Sequence, residues 1–180
     1  MFNLRSFIAS TGVQTCIHFQ PKLLNPEERI RELCRVDRCG NYRKHYMCPP
    51  YVGSLDDIRK RLKPYNNAVL LQYQQILDIK NDREGLRNSK LAFHEMVLNA
   101  ESHVKSETGA TTVWGMIGGD CTLCRTCLAR IDEPCPFPQR ARTSLESIGV
   151  DVMSLLDTLD LDRGFRSDRV TWTGCVLYSM

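Results

Sequence analysis

The sequence lacks a long apolar run and the common cofactor-binding fingerprints. No segment of its 180 residues approaches the length of a membrane span, and the N-terminal residues lack the continuous apolar stretch of a signal peptide. A glycine-rich dinucleotide motif, a P-loop and a Cys-x3-Cys-x2-Cys radical signature are also missing. We therefore expect a cytoplasmic protein without membrane association, and these absences disfavour three common cofactor chemistries.

An excess of charge of one sign is also lacking. Lys and Arg number 24 against 21 Asp and Glu, which gives a net charge of +3. Such a mild excess makes nucleic-acid binding unlikely. Basic residues do cluster around the first cysteines, between residues 29 and 63. Solvated helix faces explain this clustering most simply, and docking of an acidic redox partner or enzyme subunit is the functional alternative.

Cysteine is abundant, with nine residues in the chain. A chain of this length can bury a core as one domain, residues 1–180, without disulfide bonds. In a reducing cytoplasm, clustered cysteines indicate metal binding or redox chemistry rather than a disulfide framework. The position of the cysteines therefore becomes the main guide to function.

The densest cluster is the second cysteine group, defined here as residues 118–138. Three cysteines separated by two residues each precede a Cys-Pro step, a pattern typical of ligands to a [4Fe-4S] cluster. The last gap is seven residues rather than the three of bacterial ferredoxins. Gly118 and Gly119 are expected to let the backbone approach the cluster closely. The predicted ligands are Cys121, Cys124, Cys127 and Cys135.

Zinc is the main alternative for these four thiols. Structural zinc sites also use short Cys-x-x-Cys chelates, but they commonly combine two such pairs. A third cysteine at the next two-residue step suits the separate iron atoms of a cluster better than one tetrahedral ion. Iron-sulfur binding is therefore the favoured interpretation.

The first cysteine group, residues 34–50, has the pattern Cys-x4-Cys-x8-Cys-Pro-Pro. Its thiols, Cys34, Cys39 and Cys48, could hold three corners of a second [4Fe-4S] cluster or form a structural zinc site. A fourth ligand is unassigned, and the candidates are Cys16, Cys175, His45, a partner protein or none. Cys16 and Cys175 lie in predicted strands, where a buried core thiol is the simpler interpretation.

Periodicity and capping motifs predict an α+β fold. Strands are predicted over residues 13–19, 68–73, 111–117 and 170–178. Helices are predicted over residues 26–34, 55–63, 82–108, 143–148 and 152–159, with Asn25, Ser54, Asp82 and Asp151 at their starts. Strand, long helix and strand imply a right-handed crossover between a parallel pair of strands. We thus expect one ferredoxin-like domain with a central sheet of about four strands and two cysteine-rich metal-binding loops.

With both groups in view, the sequence resembles an uncharacterised family of cysteine-rich "predicted metal-binding" proteins, a domain of unknown function from anaerobic bacteria and archaea. The match covers most of the chain. The resemblance implies iron-sulfur binding and anaerobic metabolism, and it implies no particular reaction. It is carried by Cys34-x4-Cys39-Gly-Asn-Tyr, Cys48-Pro-Pro, Cys121-x2-Cys124-x2-Cys127, Cys135-Pro-Phe-Pro and Ser144-Leu-Glu-Ser-Ile-Gly-Val-Asp-Val.

These features favour electron transfer, as a relay or an electron-delivering subunit with one or two [4Fe-4S] clusters. The enzymatic alternative is a reductive or sulfur-transfer reaction at an open cluster on Cys34, Cys39 and Cys48. Tyr42, Lys44 and His45 would then be the candidate catalytic proton donors. The remaining alternative is a zinc-stabilised accessory module that binds protein or nucleic acid.

Overall fold

The computed structural model describes residues 3–180 and contains one four-stranded β-sheet. The strands are β1 (Thr15–Phe19), β2 (Asn67–Ile76), β3 (Thr112–Met116) and β4 (Arg169–Ser179). The α-helices are α1 (Leu4–Thr11), α2 (Glu28–Arg35), α3 (Leu55–Leu62), α4 (Arg83–Thr108) and α5 (Val152–Thr158). Short 3₁₀ helices form at Pro21–Leu23, Leu128–Ile131 and Glu146–Ile148. The prediction of a single α+β domain with about four strands is confirmed.

The strand order is β1-β2-β4-β3, and every neighbouring pair is antiparallel. β2 and β3 each pair with β4, so they run parallel to each other but exchange no hydrogen bonds. The two strands joined by the long helix are therefore parallel as expected, but they are not neighbours in the sheet, because β4 lies between them. β4 is the longest strand and is buried along nearly its whole length, so it occupies an interior position of the sheet. The order of the strands and helices along the sequence does not reveal that β4 lies between β2 and β3.

Both faces of the sheet are covered, and alternate residues of β2 face the two core layers. Val69 and Leu71 pack with α4, whose Phe93 and Val97 are fully buried. This arrangement confirms the apolar stripe predicted for the long helix. The neighbouring residues Ala68 and Leu70 pack into the other layer, beneath α3 and α5. Among residues 3–180, no helix is both long and apolar enough to cross a bilayer.

Local capping signals were reliable at most helix ends. Ser54 and Asp57 form the predicted capping box of α3, and Asp82 accepts a hydrogen bond from the first turn of α4. Asp151 likewise caps α5. The helix predicted over residues 143–148 is only a 3₁₀ turn, which ends at Gly149 with φ of 91°. Asn25 is no cap, because α2 begins later and has Glu27 at its N-cap.

Candidate metal centre

The two cysteine groups lie on loops that pack against each other. The first group follows α2 and leads into α3, and the second group follows β3. Although about 80 positions separate them in the sequence, side chains of each loop bond to the backbone of the other. The contacts are His45 Nε2 with the Cys121 carbonyl (2.7 Å), the Tyr46 hydroxyl with the Glu133 carbonyl (2.9 Å), and Arg130 Nη2 with the Gly40 carbonyl (3.0 Å).

All four cysteines of the second group line one small cavity. Its volume is about 20 Å³, so in this structure the thiols lie close around a small space. Apart from the thiols and His45, the walls are made by aromatic and apolar side chains. The lining residues are Cys121, Cys124, Cys127, Cys135, His45, Tyr46, Met47, Leu123, Phe137 and Ala141. The fold therefore brings together the four thiols that the spacing predicted as one ligand set.

Burial favours the protonated form of two of these thiols, Cys121 and Cys124, when no metal is bound. Removal from water raises the pKa of Cys121 and of Cys124, and neighbouring cysteines raise both pKa values further. For Cys121, hydrogen bonds from the backbone of Leu123 and Arg142 act in the opposite direction. Because metals and iron-sulfur clusters are bound by the thiolate, loading of this site must release protons.

The glycines before the second group have a different role from the expected one. A Cβ atom on Gly118 would lie 2.9 Å from the carbonyl oxygen of Thr173 in β4, so glycine is needed there for packing on the sheet. Gly119 has a φ of 69°, a left-handed conformation that glycine adopts without strain. The two glycines thus turn the chain away from the sheet and into the cysteine loop.

The thiols of the first group differ in exposure. Cys39 is exposed, whereas Cys34 and Cys48 are partly buried. Burial raises the pKa of Cys48 to about 12, and the charges of Asp120, Cys39, Cys34 and Cys127 raise it further. Cys48 is therefore within electrostatic range of both cysteine groups.

The candidate fourth ligands within the chain are occupied elsewhere. Cys16 and Cys175 are buried in the two core layers on opposite faces of the sheet. Burial raises the pKa of the Cys16 thiol to about 12 and that of Cys175 upward as well, which suits neutral core thiols. His45 is buried, its Nε2 contacts the Cys121 carbonyl, and its Nδ1 accepts from the Met47 amide at 3.4 Å.

The candidate catalytic residues lie on the first loop, and all three make structural contacts there. Lys44 Nζ lies 2.9 Å from Asp37 Oδ2, and the same carboxylate accepts the Tyr42 amide at 2.8 Å. These bonds lower the pKa of Asp37 and close the turn between Cys34 and Cys48. His45 joins the two loops, and burial lowers its pKa, so its ring is neutral near pH 7.

Two polar contacts that the sequence did not predict join α4 to the second cysteine group. Lys90 Nζ lies 2.6 Å from Asp120 Oδ1, in a pair whose side chains are only 16% and 30% exposed. Arg87 donates to the carbonyl of Thr122 at 3.1 Å. Lys90 lies four positions after Leu86, on the buried stripe of the helix, so helical periodicity could have indicated that it faces inward.

The cysteine side chains described above do not form a site for a single metal ion. Across residues 3–180, no three His, Cys, Asp or Glu residues converge closely enough to hold one metal ion. The thiols of the second group instead stand around a common cavity.

Comparison with protein-family models gives a match to a family described as predicted metal-binding protein (DUF2284), over residues 18–178. The chain belongs to this family. Membership in DUF2284 supports metal binding, and the description of the family names neither the metal nor a reaction. The match spans both cysteine groups and all four strands except the first three residues of β1 and the last residue of β4. Comparisons with curated proteins and with solved structures gave no match.

Proposed function

We propose that this chain is an iron-sulfur protein that transfers electrons, with a [4Fe-4S] cluster bound by Cys121, Cys124, Cys127 and Cys135. The observation that carries the proposal is that these four thiols line one cavity. A cluster held by four thiolates is coordinatively closed, so it supplies electron transfer without an open metal site.

The surroundings of the thiols suit such a cluster. Leu123, Phe137 and Ala141 supply an apolar wall, and a wall of this kind limits the access of water that influences reduction potential. In a zinc site, four sulfurs lie about 2.3 Å from one point, whereas a cluster keeps its ligands spread around a larger body. Three cysteines at successive two-residue steps, rather than two separate Cys-x-x-Cys pairs, therefore favour the cluster over zinc.

A second cluster on Cys34, Cys39 and Cys48 would complete a two-centre relay. Hydrogen bonds between the two loops support a short separation between the two groups. His45 and Tyr46 fix the position of one loop against the other through hydrogen bonds to the carbonyl oxygens of Cys121 and Glu133. Electron exchange between two centres needs such a fixed arrangement.

Exposed arginines near these loops would recruit an acidic redox partner or enzyme subunit. Arg38, Arg43 and Arg125 are exposed, and none has a carboxylate partner among residues 3–180. Unpaired surface cations raise the association rate with an acidic protein, and salt weakens this effect.

The enzymatic alternative rests on a different observation. A large cleft meets the four-cysteine cavity at Tyr46, Met47 and Ala141, so a small molecule could lie beside the cysteine groups. A cluster on three cysteines would then have one open corner facing a substrate. Anaerobic metabolism is the setting we propose for either activity, because exposed clusters are vulnerable to oxygen.

Paramagnetic resonance of the anaerobically purified, chemically reduced protein tests the proposal. We expect a reversible signal of reduced clusters that does not change when imidazole or cyanide is added. A signal that these ligands perturb would favour the open cluster and the enzymatic alternative. A protein that takes up no electrons reversibly would contradict both functions and leave the zinc-stabilised module.

A further inference from the structure

A second cavity, much larger than the cysteine cavity, opens between α3, α4, β3 and the segment 138–148. Its volume is about 780 Å³, within the range of ordinary ligand-binding pockets. The edge strand β3 forms one side, and the first cysteine loop forms another with Tyr46 and Tyr51. No role in cluster binding accounts for a cleft of this size.

One arginine in the cleft, Arg61, is available to bind a ligand. The guanidinium carbon of Arg61 lies 3.7 Å from the ring centroid of Trp114, so the cation stacks on the indole face. Tyr65 lines the same cleft beside it. Among residues 3–180, no carboxylate pairs with Arg61. Because stacking uses the flat face of the guanidinium, its N–H edge can still bind a planar carboxylate in two-point fashion.

The charged side chains of the cleft together carry a net positive charge. Glu101 is neutralised by Arg142, whose Nε and Nη2 lie 2.8 and 2.6 Å from its carboxylate oxygens. Nη1 of Arg142 donates to the carbonyls of Gln139 and Ala141, so all its donor nitrogens are engaged. The remaining charges are those of Arg61 and Lys105, and Lys105 is exposed without a carboxylate partner in the described chain.

The rest of the lining is largely polar, but its aromatic side chains offer contacts to the ring of an aromatic ligand. The rings of Tyr46 and Tyr51 meet edge to face at 5.2 Å, and the Tyr65 ring lies 6.1 Å from that of Trp114. Ile58 adds an aliphatic surface to the same cleft. Aromatic walls with a few cationic groups are typical of sites for small organic anions.

We propose that this cleft binds a small aromatic carboxylate, with the carboxylate on Arg61 and the ring against the tyrosines. This inference does not depend on which metal the cysteines hold, because no cysteine lines the cleft. The cleft adjoins the cysteine cavity through Tyr46, Met47 and Ala141, so its ligand lies next to the candidate metal centre.

Calorimetric titration of the full chain, purified anaerobically with whatever metal it carries, tests the proposal with benzoate as the probe. We expect saturable binding with a Kd on the order of 1 mM, a value typical for so small a ligand. Benzyl alcohol, which has the same ring without the charge, should bind at least tenfold more weakly. The fluorescence of Trp114 should change with the same benzoate dependence.

The variant Arg61→Gln should weaken benzoate binding at least tenfold, while Arg83→Gln should leave it unchanged. Arg83 is an exposed arginine at the start of α4 outside the cleft, so it is a matched control. Arg61→Lys keeps the charge but loses the planar fork, and it should also bind benzoate poorly. If Arg61→Gln does not fold, Arg61→Lys and the wild-type comparison of benzoate with benzyl alcohol still decide the question.

Three results would overturn the proposal. One is wild-type protein that fails to bind benzoate at 20 times the expected Kd, about 20 mM. Another is equal binding of benzoate by the wild type and Arg61→Gln. The third is tenfold tighter binding of phenyl phosphate than of benzoate, which would assign the cleft to phosphate esters.

Discussion

His45 Nε2 lies 2.7 Å from the carbonyl oxygen of Cys121, so one buried hydrogen bond joins the two cysteine groups. The histidine comes three positions before Cys48, and its partner is the first proposed ligand of the second group. With Nδ1 accepting from the Met47 amide, the ring is held as the neutral tautomer with its proton on Nε2. The proposed metal centres are thus coupled through the protein as well as through space.

Replacement of this histidine should loosen the loops. We expect His45→Ala to lower the free energy of unfolding by about 1–3 kcal/mol, since it removes a buried hydrogen bond and leaves the Cys121 carbonyl without its partner. Urea titration measures the change. His18→Ala, at an exposed histidine of β1, should be nearly neutral. Equal stability of the two variants would show that the His45 bond does not hold the loops together.

Two arginines on the segment after the second group allow a direct comparison of ion pairs. Arg142 pairs with Glu101, and their side chains are only 18% and 14% exposed. Arg140 pairs with Glu95, with both side chains about half exposed. We expect Arg142→Gln to destabilise the protein by about 2–4 kcal/mol because it leaves a partly buried carboxylate unpaired. Arg140→Gln should cost about 0–1 kcal/mol.

Chemical unfolding of the two variants provides this test. A small effect of Arg142→Gln, equal to that of Arg140→Gln, would mean that Glu101 is hydrated or protonated rather than held by Arg142.

The start of α5 should make stability depend on pH in the acid range. Hydrogen bonds from the Ser154 amide and from Arg29 lower the pKa of Asp151 to about 2. The unfolded value is about 3.9, so the carboxylate stabilises the fold above pH 4, and this contribution is lost as pH falls toward 2. After allowance for solvent screening we expect about 1 kcal/mol.

Asp151→Asn should therefore remove that part of the acid dependence of the unfolding free energy. Asp56→Asn, at an exposed carboxylate in the first turn of α3, is the matched control for the removal of one negative charge. Parallel profiles of the wild type and Asp151→Asn between pH 2 and 5 would contradict the role assigned to this cap.

Structural features that depend on residues close together in the sequence could be predicted from it. Ser54 with Asp57, Asp82 and Asp151 form caps whose partners lie within one helical turn. The ligand spacing of the second group likewise anticipated four thiols around one cavity.

Contacts between segments that are far apart in the sequence could not be predicted in the same way. Insertion of β4 between β2 and β3 depends on which long strand buries the most surface, and sequential order does not reveal it. Glu101 and Lys105 have the spacing of a helical ion pair, yet Glu101 pairs with Arg142, 41 positions away. Gly118 was expected to approach a cluster but is required for packing on β4.

Cysteine variants should separate ligands from core thiols. We expect Cys124→Ala to lose the cluster of the second group, since it removes one of four ligands from the cavity. Cys16→Ala removes a cysteine as well, but from a buried site in the core, so it should keep the full iron content despite lower stability. Equal iron loss in both variants would indicate unfolding rather than loss of a ligand.

The most direct test of the proposed function is the iron, acid-labile sulfide and zinc content of the anaerobically purified chain. Clusters in both cysteine groups predict about eight irons and eight sulfides per chain, and a cluster in the second group alone predicts about four of each. Either result, with little zinc, would support an iron-sulfur protein. About one or two zinc ions per chain without sulfide would contradict it and assign the cysteines to structural zinc sites.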